Sequence, residues 1–498
     1  MPFSYENQYL TIVVVGASGD LAKKKTYPSL FELYCQGYLP KQGSLSIVGY
    51  ARSAYTDDSF REKMRVAIGE RGDRSKIEGF LGCCRYQRGE TYDDIEAWVQ
   101  LNLRQQTVED TVLANRLFYF AIPPEQFAPS ARAITQAAQS SSGWNRFIVE
   151  KPFGVDLQSS NKLARDLAAV LKEDQIYRID HYLGKEMVQN LLVLRFANAI
   201  FKPLWNRDYI ESVTIVFKED IGCEGRGGYF DEAGIIRDVQ QNHLLQILSI
   251  IAMEPPAEIS GDRSGEYIRD EKVKLLKCIP PLAPEDVILG QFVAGNGKVG
   301  YLDDETCNNE YCPTYALTKF QINNPRWAGV PFVMISGKAL DERKGEVRIV
   351  FKTPLGIDSQ LHNQQFKPEK NELVIRIQPG EALTMKLNVK SPGFANDPIV
   401  SNMDLLYSDK FPKASKQIPD AYTRLILDVL RNNSSAFVRN DELEAAWKIF
   451  TPLLHLLESP DRKEPPIKYK FGSTGPKEAE DFLGALHGRS NGEFASKL

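Results

Sequence analysis

The sequence has little of three things: histidine, cysteine and net charge. Its 498 residues include five His and seven Cys, and the formal net charge at pH 7 is -4. The near-neutral charge gives no basic surface for nucleic acid, so we expect no nucleic-acid partner. An odd number of dispersed cysteines is typical of reduced thiols, which indicates a reducing compartment.

Long apolar runs and paired cysteine motifs are also missing. No stretch reaches about eighteen consecutive apolar residues, which predicts no membrane span, and the first residues lack the basic and apolar segments of a secretory signal. Cys307 and Cys312 lack the second close pair that a zinc site needs, so we expect no metal. The last residues, Ser496, Lys497 and Leu498, match the peroxisomal address read by an import receptor. We therefore expect a cytoplasmic protein, a peroxisomal protein, or both.

Length and pattern predict two domains, because 498 residues exceed one ordinary core. In the first part, buried β-branched runs alternate with helical segments, which predicts an α/β, Rossmann-like, doubly wound parallel sheet. Long alternating segments with few helices between them follow, which predicts an α+β domain with a large, mostly antiparallel sheet. We expect a dinucleotide-binding domain over residues 1–180 and a substrate-binding and dimerisation domain over residues 181–498.

The same patterns predict individual elements. Strands are expected over 9–15, 45–50, 116–122, 146–150, 176–180, 211–219, 315–322, 331–336, 346–352, 371–378 and 382–389. Helices are expected over 57–88, 93–112, 156–171, 186–199, 420–431 and 441–457, the third capped by Asp156 or Ser159. From Glu464 onward the chain is polar and is expected to be extended, with a loose tail.

A glycine turn, Gly16–Ala22, follows the first predicted strand and opens a helix. Such glycines let a dinucleotide pyrophosphate approach backbone N–H groups at the positive helix end. The spacing departs from GxGxxG, and a simple tight turn is the alternative. After the second strand stands Arg52, where an NAD enzyme would place an acid. A cation there favours the 2′-phosphate of NADP, the alternative being a solvated surface arginine.

Two further strand ends carry polar residues. Lys151 follows the strand that ends at Glu150 and could donate to both cofactor and substrate, while the Lys151–Pro152 bond could be cis. The stretch Arg178–Glu186 reads RIDHYLGKE and places a carboxylate, an imidazole, a phenol and an ammonium at a strand-to-helix turn, where open α/β sheets bind ligands. These four groups suit one small anionic substrate. The alternative is a buried ion pair beside a capped helix.

Asp238 and His243 lie on a segment that begins a strongly apolar helix. Five residues correspond to roughly 140° around an ideal α-helix, so the two share a site only if Asp238 is at or before the helix start. Oxidation of an alcohol by a dinucleotide needs a base that titrates near neutral pH, and His243 and His181 are the two histidines in plausible pockets. The alternative for His243 is a hydrogen-bonded core residue.

Ten motifs together resemble the glucose-6-phosphate dehydrogenase family, in the family's order and over nearly the whole chain. They are GASGDLAKKK (16–25), GYARS (49–53), EKPFG (150–154), RIDHYLGKE (178–186), WNRD (205–208), EGRGGYFD (224–231), IIRDVQQNHLLQ (235–246), IRDEKVK (268–274), GKALDERK (337–344) and FGSTGP (471–476).

The resemblance implies an NADP-dependent oxidation of D-glucose 6-phosphate at C1 to 6-phospho-D-glucono-1,5-lactone, in a homodimer or homotetramer. It implies that His243 is the general base and that Asp180 pairs with it. The 6-phosphate would be bound by His181, Tyr182 and Lys185. The hexose would be positioned by Lys151, Glu219, Asp238, Lys338 and Arg343. The cofactor would be bound by Gly16, Ser18, Gly19, Asp20, Leu21, Lys25, Arg52, Ala121, Pro123 and Lys151.

Some family members have a second, structural NADP site, and this sequence matches part of it. The matching residues are Lys344, Arg348, Arg376, Lys386 and Asp404, whereas Thr384 stands where an aromatic ring is usual. Two other functions stay open. One is a broader dehydrogenase for hexose 6-phosphates or free glucose. The other is a non-enzymatic NADP-sensing paralogue, which would be expected to lose His243 or Lys185, and both are present.

Overall fold

The computed structural model describes residues 7–69, 71–109, 112–225, 227–354, 368–394, 398–415, 418–460 and 464–487. The predicted peroxisomal address, residues 496–498, lies outside them. Among the described residues, no helix combines the length and the apolar character that a membrane crossing requires.

The strands, in chain order, cover nearly every segment for which the sequence predicts one. They are β1 (Gln8–Val15), β2 (Leu45–Ala51), β3 (Cys84–Arg88), β4 (Leu113–Phe120), β5 (Asn145–Val149), β6 (Ile176–Ile179), β7 (Ile210–Lys218), β8 (Val287–Val293), β9 (Tyr315–Phe320), β10 (Phe332–Gly337), β11 (Lys344–Phe351), β12 (Glu372–Gln378), β13 (Ala382–Lys390), β14 (Pro398–Leu406), β15 (Phe437–Val438) and β16 (Ile467–Lys470).

The α-helices lie between these strands and after them. They are α1 (Tyr27–Cys35), α2 (Asp57–Ile68), α3 (Ile77–Gly82), α4 (Ile95–Glu109), α5 (Phe127–Ala137), α6 (Leu157–Ala168), α7 (Glu186–Ala197), α8 (Phe201–Leu204), α9 (Gly227–Ile235), α10 (Leu245–Ala252), α11 (Ser264–Leu276), α12 (Tyr407–Lys410), α13 (Ala421–Leu430), α14 (Asn440–Leu457) and α15 (Lys477–His487). Two segments, Ala22–Thr26 and Ile236–Leu244, wind as wider π-helices.

Contacts between Cα atoms divide the chain into two compact units. The first unit takes in Met1–Gly184, Ser260–Arg269 and Pro419–Glu444, and the second takes in Lys185–Ile259, Asp270–Ile418 and Ala445–Leu498. The first unit therefore includes two segments from the second half of the sequence. The domain boundary between residues 180 and 181 stays a prediction.

The first unit is built on a sheet whose described strands run in the order β15-β6-β5-β4-β1-β2-β3. Neighbours pair in parallel except β15, which is antiparallel to β6. The central strands are buried along almost their whole length because helices of a doubly wound fold cover both faces of the sheet. The predicted Rossmann-like sheet is confirmed.

The second unit contains a sheet whose described strands run in the order β14-β13-β12-β11-β7-β10-β9-β8-β16. Two pairs, β7 with β10 and β8 with β16, are parallel, and the other pairs are antiparallel. Burial falls from the centre to one edge: β11 is almost entirely buried, whereas β14 is largely exposed. The predicted large, mostly antiparallel sheet is confirmed.

Some predicted elements are wrong. The helix expected over 57–88 is two helices, α2 and α3, followed by the edge strand β3, because glycines interrupt the helical run and alternate residues of β3 point outward. The polar end of the chain contains β16 and the helix α15, whose Ala479 and Leu483 are buried four residues apart. The capping prediction for α6 is confirmed, since Asp156 and Ser159 form a reciprocal capping box.

Candidate functional site

The glycine turn after β1 is shaped by close approach of two backbones. Gly16 has φ +88°, and a Cβ atom there would lie 2.2 Å from the carbonyl oxygen of Ala121, so only glycine fits. The Gly16 N–H donates to the Tyr50 carbonyl at 2.9 Å, and the Gly19 N–H donates to the Gly16 carbonyl at 2.9 Å. The turn therefore presents bare backbone where β1 and β4 end.

Side chains at the ends of β1 and β2 meet beside this turn. Ser53 donates to the hydroxyl of Ser18 at 3.0 Å. Arg52 is exposed, and its guanidinium lies 5.5 Å from the ring centroid of Tyr92. An exposed guanidinium stacked on a ring is oriented while its donors stay available, which suits a phosphate monoester.

The helix that follows the turn carries two of the predicted cofactor residues in ion pairs. Asp20 accepts from Lys24 at 2.8 Å on the surface, and this contact lowers the pKa of the Asp20 carboxyl. Lys25 donates to Asp420 at 2.9 Å, so its ammonium is oriented by a residue that is distant in the sequence. Leu21 precedes the π-helical segment Ala22–Thr26. Pro123 begins the short turn that leads into α5.

The end of β5 places a buried acid next to the predicted lysine. Glu150 is 6% exposed and accepts a hydrogen bond from the phenol of Tyr119 on β4. Burial raises the pKa of the Glu150 carboxyl to about 7. Lys151 follows and is partly exposed, and its bond to Pro152 is cis.

The end of β6 leads into one short turn, His181–Gly184, which contains two of the predicted residues, His181 and Tyr182, and directly follows a third, Asp180. Asp180 is 3% exposed, and its carboxylate accepts from the Tyr182 N–H at 2.9 Å. The His181 ring lies parallel to the Tyr422 ring, with 6.0 Å between centroids. A Cβ at Gly184 would lie 2.6 Å from the Ala421 carbonyl oxygen. The start of α13 therefore packs directly against this turn.

In the second unit, Asp238 and His243 both lie within the π-helical segment Ile236–Leu244. The expectation that they diverge by roughly 140° assumes an α-helix and is therefore wrong here. Hydrogen bonds from i to i+5 wind the chain more loosely, so residues five apart return toward one face. His243 is 3% exposed.

Gln240 attaches this π-helical segment to the sheet. Its amide donates to the Ala316 carbonyl at 2.9 Å and to the Ser336 hydroxyl at 3.1 Å, and its carbonyl accepts from Thr318 at 2.6 Å. Gln240 is fully buried. Three hydrogen bonds from one side chain thus fix the segment that carries His243 against β9 and β10.

Other predicted substrate residues lie at the ends of the strands β7 and β10. Lys338 donates to Glu219 at 2.6 Å, and its ammonium lies 5.2 Å from the ring centroid of Phe230. Lys185 donates to Gln378 at 2.6 Å. Arg343 is exposed immediately before β11.

The residues predicted to bind a second nucleotide lie on β11 to β14, and most of the basic ones form ion pairs with acidic side chains. Arg348 donates to Glu346 at 2.9 Å and also to Glu372. Lys386 donates to the same Glu372 carboxylate at 3.2 Å. Lys344 lies 3.6 Å from Glu346. Arg376 belongs to β12, and Asp404 accepts from Thr384 at 2.7 Å.

Four residues that contact predicted site residues, or hold the segment that carries them, are not predicted by the sequence. The sequence does hold a signal for Glu150, because this residue stands directly before Lys151 in the EKPFG motif. Gln240 lies inside another quoted motif, but its partners are 76, 78 and 96 residues away in the chain. Asp420 and Tyr422 come from a segment about 240 residues after the RIDHYLGKE turn, and no local pattern links them.

A parallel sheet with a glycine turn, a strand-end arginine and polar strand ends defines the class of dinucleotide-dependent oxidoreductases. Two family models specify the class further: "Glucose-6-phosphate dehydrogenase, NAD binding domain" matches residues 13–190, and "Glucose-6-phosphate dehydrogenase, C-terminal domain" matches residues 192–490. The chain belongs to the glucose-6-phosphate dehydrogenase family, which confirms the resemblance read from its motifs.

Known proteins agree over nearly the full length. A glucose-6-phosphate 1-dehydrogenase of Dictyostelium discoideum is 51% identical over 480 residues, covering 95% of this chain and 93% of its own. A cytoplasmic glucose-6-phosphate 1-dehydrogenase of Arabidopsis thaliana is 48% identical, over 96% of this chain and 91% of its own length. A solved glucose-6-phosphate dehydrogenase in complex with its substrate glucose-6-phosphate is similar with a TM-score of 0.90 and 44% identity, covering 97% and 98%.

Proposed function

We propose that this chain oxidises D-glucose 6-phosphate at C1 to 6-phospho-D-glucono-1,5-lactone and transfers the hydride to NADP⁺. This is the first reaction of the oxidative pentose phosphate pathway. The observation that carries the proposal is the match of two glucose-6-phosphate dehydrogenase family models to residues 13–190 and 192–490.

The residues around the glycine turn fit the cofactor. Gly16 lets the backbone of the turn pack against Ala121, where a Cβ would clash, and the turn leads into a helix, where backbone N–H groups attract a pyrophosphate. Arg52 supplies a cation for a 2′-phosphate. Ser18, Gly19, Asp20, Leu21, Lys25, Ala121, Pro123 and Lys151 are the other residues proposed to bind it. When bound, NADP⁺ supplies the hydride acceptor.

The proton is proposed to leave through His243. An imidazole suits a base that works near neutral pH, and the hydrogen bonds of Gln240 to the sheet support a fixed position for it. Asp180 is proposed to orient this base and to stabilise its protonated form, as the family resemblance implies. Removal of the C1 hydroxyl proton then accompanies loss of hydride from the same carbon.

The substrate is proposed to be bound through its phosphate. His181, Tyr182 and Lys185 offer three donors to a dianion, and this remote binding energy would orient C1, where no charge is available for recognition. Glu219, Asp238, Lys338, Arg343 and Lys151 are proposed to position the hexose. The pairing of Glu219 with Lys338 at 2.6 Å supports a fixed arrangement of two of these groups.

The test uses the purified full chain with NADP⁺ and follows absorbance of the reduced nicotinamide. Glucose 6-phosphate should give a kcat/KM at least about a hundredfold above that for glucose, because glucose lacks the charged anchor. Equal values would favour the second candidate, a broader sugar dehydrogenase. Absence of reduction with either sugar would contradict the proposal and favour a non-enzymatic role.

The oligomer is proposed to be a homodimer, or a homotetramer built from such dimers, formed through β13 and β14. Apolar side chains on β14 are exposed to solvent in the single chain, including Ile399 at 43% and Met403 at 66%. An exposed apolar strand at a sheet edge is an association surface by default.

A second NADP bound by Lys344, Arg348, Arg376, Lys386 and Asp404 is a separate proposal from the resemblance. Equilibrium dialysis at saturating NADP would give two molecules per chain if it is right. One molecule per chain would show that the acids around these cations, Glu346 and Glu372, neutralise them instead.

A further inference from the structure

Four elements of the first unit bring ionisable groups around the carboxyl of Glu150. Tyr119 on β4 donates a hydrogen bond to it, and the neighbouring Lys151 offers both its N–H and its positive charge. Asp180, after β6, lies within electrostatic reach, and so does Tyr422 on α13. Glu150 is 6% exposed and Asp180 is 3% exposed. Val149 pairs with Arg178 across the parallel strands β5 and β6, so the two buried carboxyls follow adjacent strand ends.

Two buried carboxylates cannot both ionise cheaply, because each charge loses its hydration and repels the other. Burial is the main cause that raises the pKa of Glu150 to about 7, and the charge of Asp180 adds to it. The hydrogen bond from Tyr119 and the charge of Lys151 act in the opposite direction. Burial also raises the pKa of Tyr119 well above its ordinary value, so its phenol stays a donor.

The two carboxyls are not equivalent. An aspartic acid ionises at lower pH than a glutamic acid in water. The Asp180 carboxylate also accepts the Tyr182 N–H at 2.9 Å, a contact made by the short turn that follows it. Both effects favour a charge on Asp180 and a proton on Glu150.

We propose that Glu150 is a positioning residue that holds a proton beside Asp180, so that Asp180 is the carboxylate that stays charged. This inference rests on the proposed function, in which Asp180 orients the general base, and it adds a residue to which the family resemblance gives no role. Glu150 acts through Asp180 and through the backbone of Lys151, without contact to the reacting atoms.

Matched amide substitutions test which carboxyl must be charged. Asp180→Asn removes the required charge and should lower kcat by about a hundredfold or more. Glu150→Gln has the shape and neutrality of the protonated acid, so it should lower kcat by less than about tenfold. Equal losses, or a larger loss for Glu150→Gln, would overturn the proposal.

Infrared spectra of the full-length chain detect the proton itself. Between pH 6 and pH 8 the wild type should lose a carbonyl band of protonated carboxylic acid. Asp428 is a second buried carboxyl in the same unit, with a pKa raised to about 6, so it contributes to this change at the acid end of the range. The spectra are therefore compared in chains that carry Asp428→Asn, in which the change should remain when Glu150 is present and disappear with Glu150→Gln. A change of equal size in both chains would overturn the proposal.

Tyr119→Phe keeps the proposal testable if Glu150→Gln fails to fold. Loss of the phenol removes a hydrogen bond that lowers the pKa of Glu150, so the infrared titration should move to higher pH. A titration that does not move would overturn the proposal. Wild-type protein that fails to oxidise glucose 6-phosphate would contradict the proposed function instead, and the infrared result would still report on the proton.

Discussion

Arg52 is the side chain that should separate NADP from NAD. We expect Arg52→Ala to weaken NADP⁺ binding by about tenfold or more, which corresponds to about 1.4 kcal/mol, because it removes the cation proposed to bind the 2′-phosphate. Binding of NAD⁺ should change by less than about threefold, since NAD⁺ lacks that phosphate. Titration of protein fluorescence with each cofactor gives both constants.

The control for this substitution is Arg85→Ala. Arg85 is also exposed, but it lies at the first half of β3, whereas Arg52 follows the last residue of the adjacent parallel strand β2. Arg85→Ala removes the same charge and should leave the ratio of the binding constants for NADP⁺ and NAD⁺ unchanged. Equal weakening of both cofactors by Arg52→Ala would show that the arginine has no part in recognising the phosphate.

His243 and Lys185 should affect different kinetic constants. His243→Asn removes the proposed base, so kcat should fall by about a hundredfold or more while the KM for glucose 6-phosphate changes little. Lys185→Thr removes a proposed phosphate donor, so the KM should rise by about tenfold or more. Steady-state kinetics on both variants measures the two effects. Near-normal turnover by His243→Asn would exclude it as the base.

Glu150 should make stability depend on pH. Its folded pKa of about 7 lies above the ordinary 4.5, so between these values the native chain binds more protons than the unfolded chain. Relative to Glu150→Gln, the wild-type chain therefore has its largest free energy of unfolding below about pH 4.5. This difference declines by about 3 kcal/mol as the pH rises through about 7. Melting temperatures of both proteins should converge or cross over this window; parallel curves would contradict the prediction.

At the scale of elements, the π-helical segment Ile236–Leu244 is held by side-chain hydrogen bonds as well as by its own backbone. Wide helical turns of this kind are rare and are frequently found at functional sites. We expect Gln240→Ala to leave the Thr318 hydroxyl and the Ala316 carbonyl unsatisfied in the core, which costs about 2–5 kcal/mol. The kcat should fall because His243 loses its fixed position.

A paired replacement separates polarity from packing. Gln240→Met with Thr318→Val removes both hydrogen-bonding partners and keeps similar volumes, so most of the stability lost in Gln240→Ala should return. Chemical denaturation measures the free energy and the assay measures kcat. A Gln240→Ala variant with wild-type stability and turnover would show that the glutamine does not fix the segment.

The sequence predicts elements best where burial imposes a strong pattern. The β-branched run of β1 and the strands β10 and β12 were predicted to within one or two residues, since continuous or alternating apolar residues have few other interpretations. The edge strand β3 is not predicted, because its exposed Arg85 and Arg88 are three residues apart, a spacing that is also typical of the polar face of a helix. The π-helical segment was missed because a helical period does not reveal where extra residues enter a turn.

At the scale of the whole chain, the predicted site residues that the structure brings together are those close in sequence or at adjacent strand ends. Gly16 and Ala121 meet because β1 and β4 pair in parallel and end together. The first unit also takes in residues 419–444, and their Asp420 and Tyr422 contact Lys25 and His181. Such contacts arise from tertiary packing, and neither periodicity nor motif spacing encodes them.

The proposed dimer is tested by a charge placed on β14. We expect Met403→Glu to weaken self-association by at least tenfold, because a carboxylate would be buried against an apolar surface of the second copy. Sedimentation velocity over a range of concentrations measures the effect. Val66→Glu on α2, where the native side chain is 81% exposed, adds the same charge elsewhere and should leave association unchanged. If Met403→Glu sediments as the wild type does, β14 is not the contact surface, and the apolar side chains along this sheet edge need another explanation.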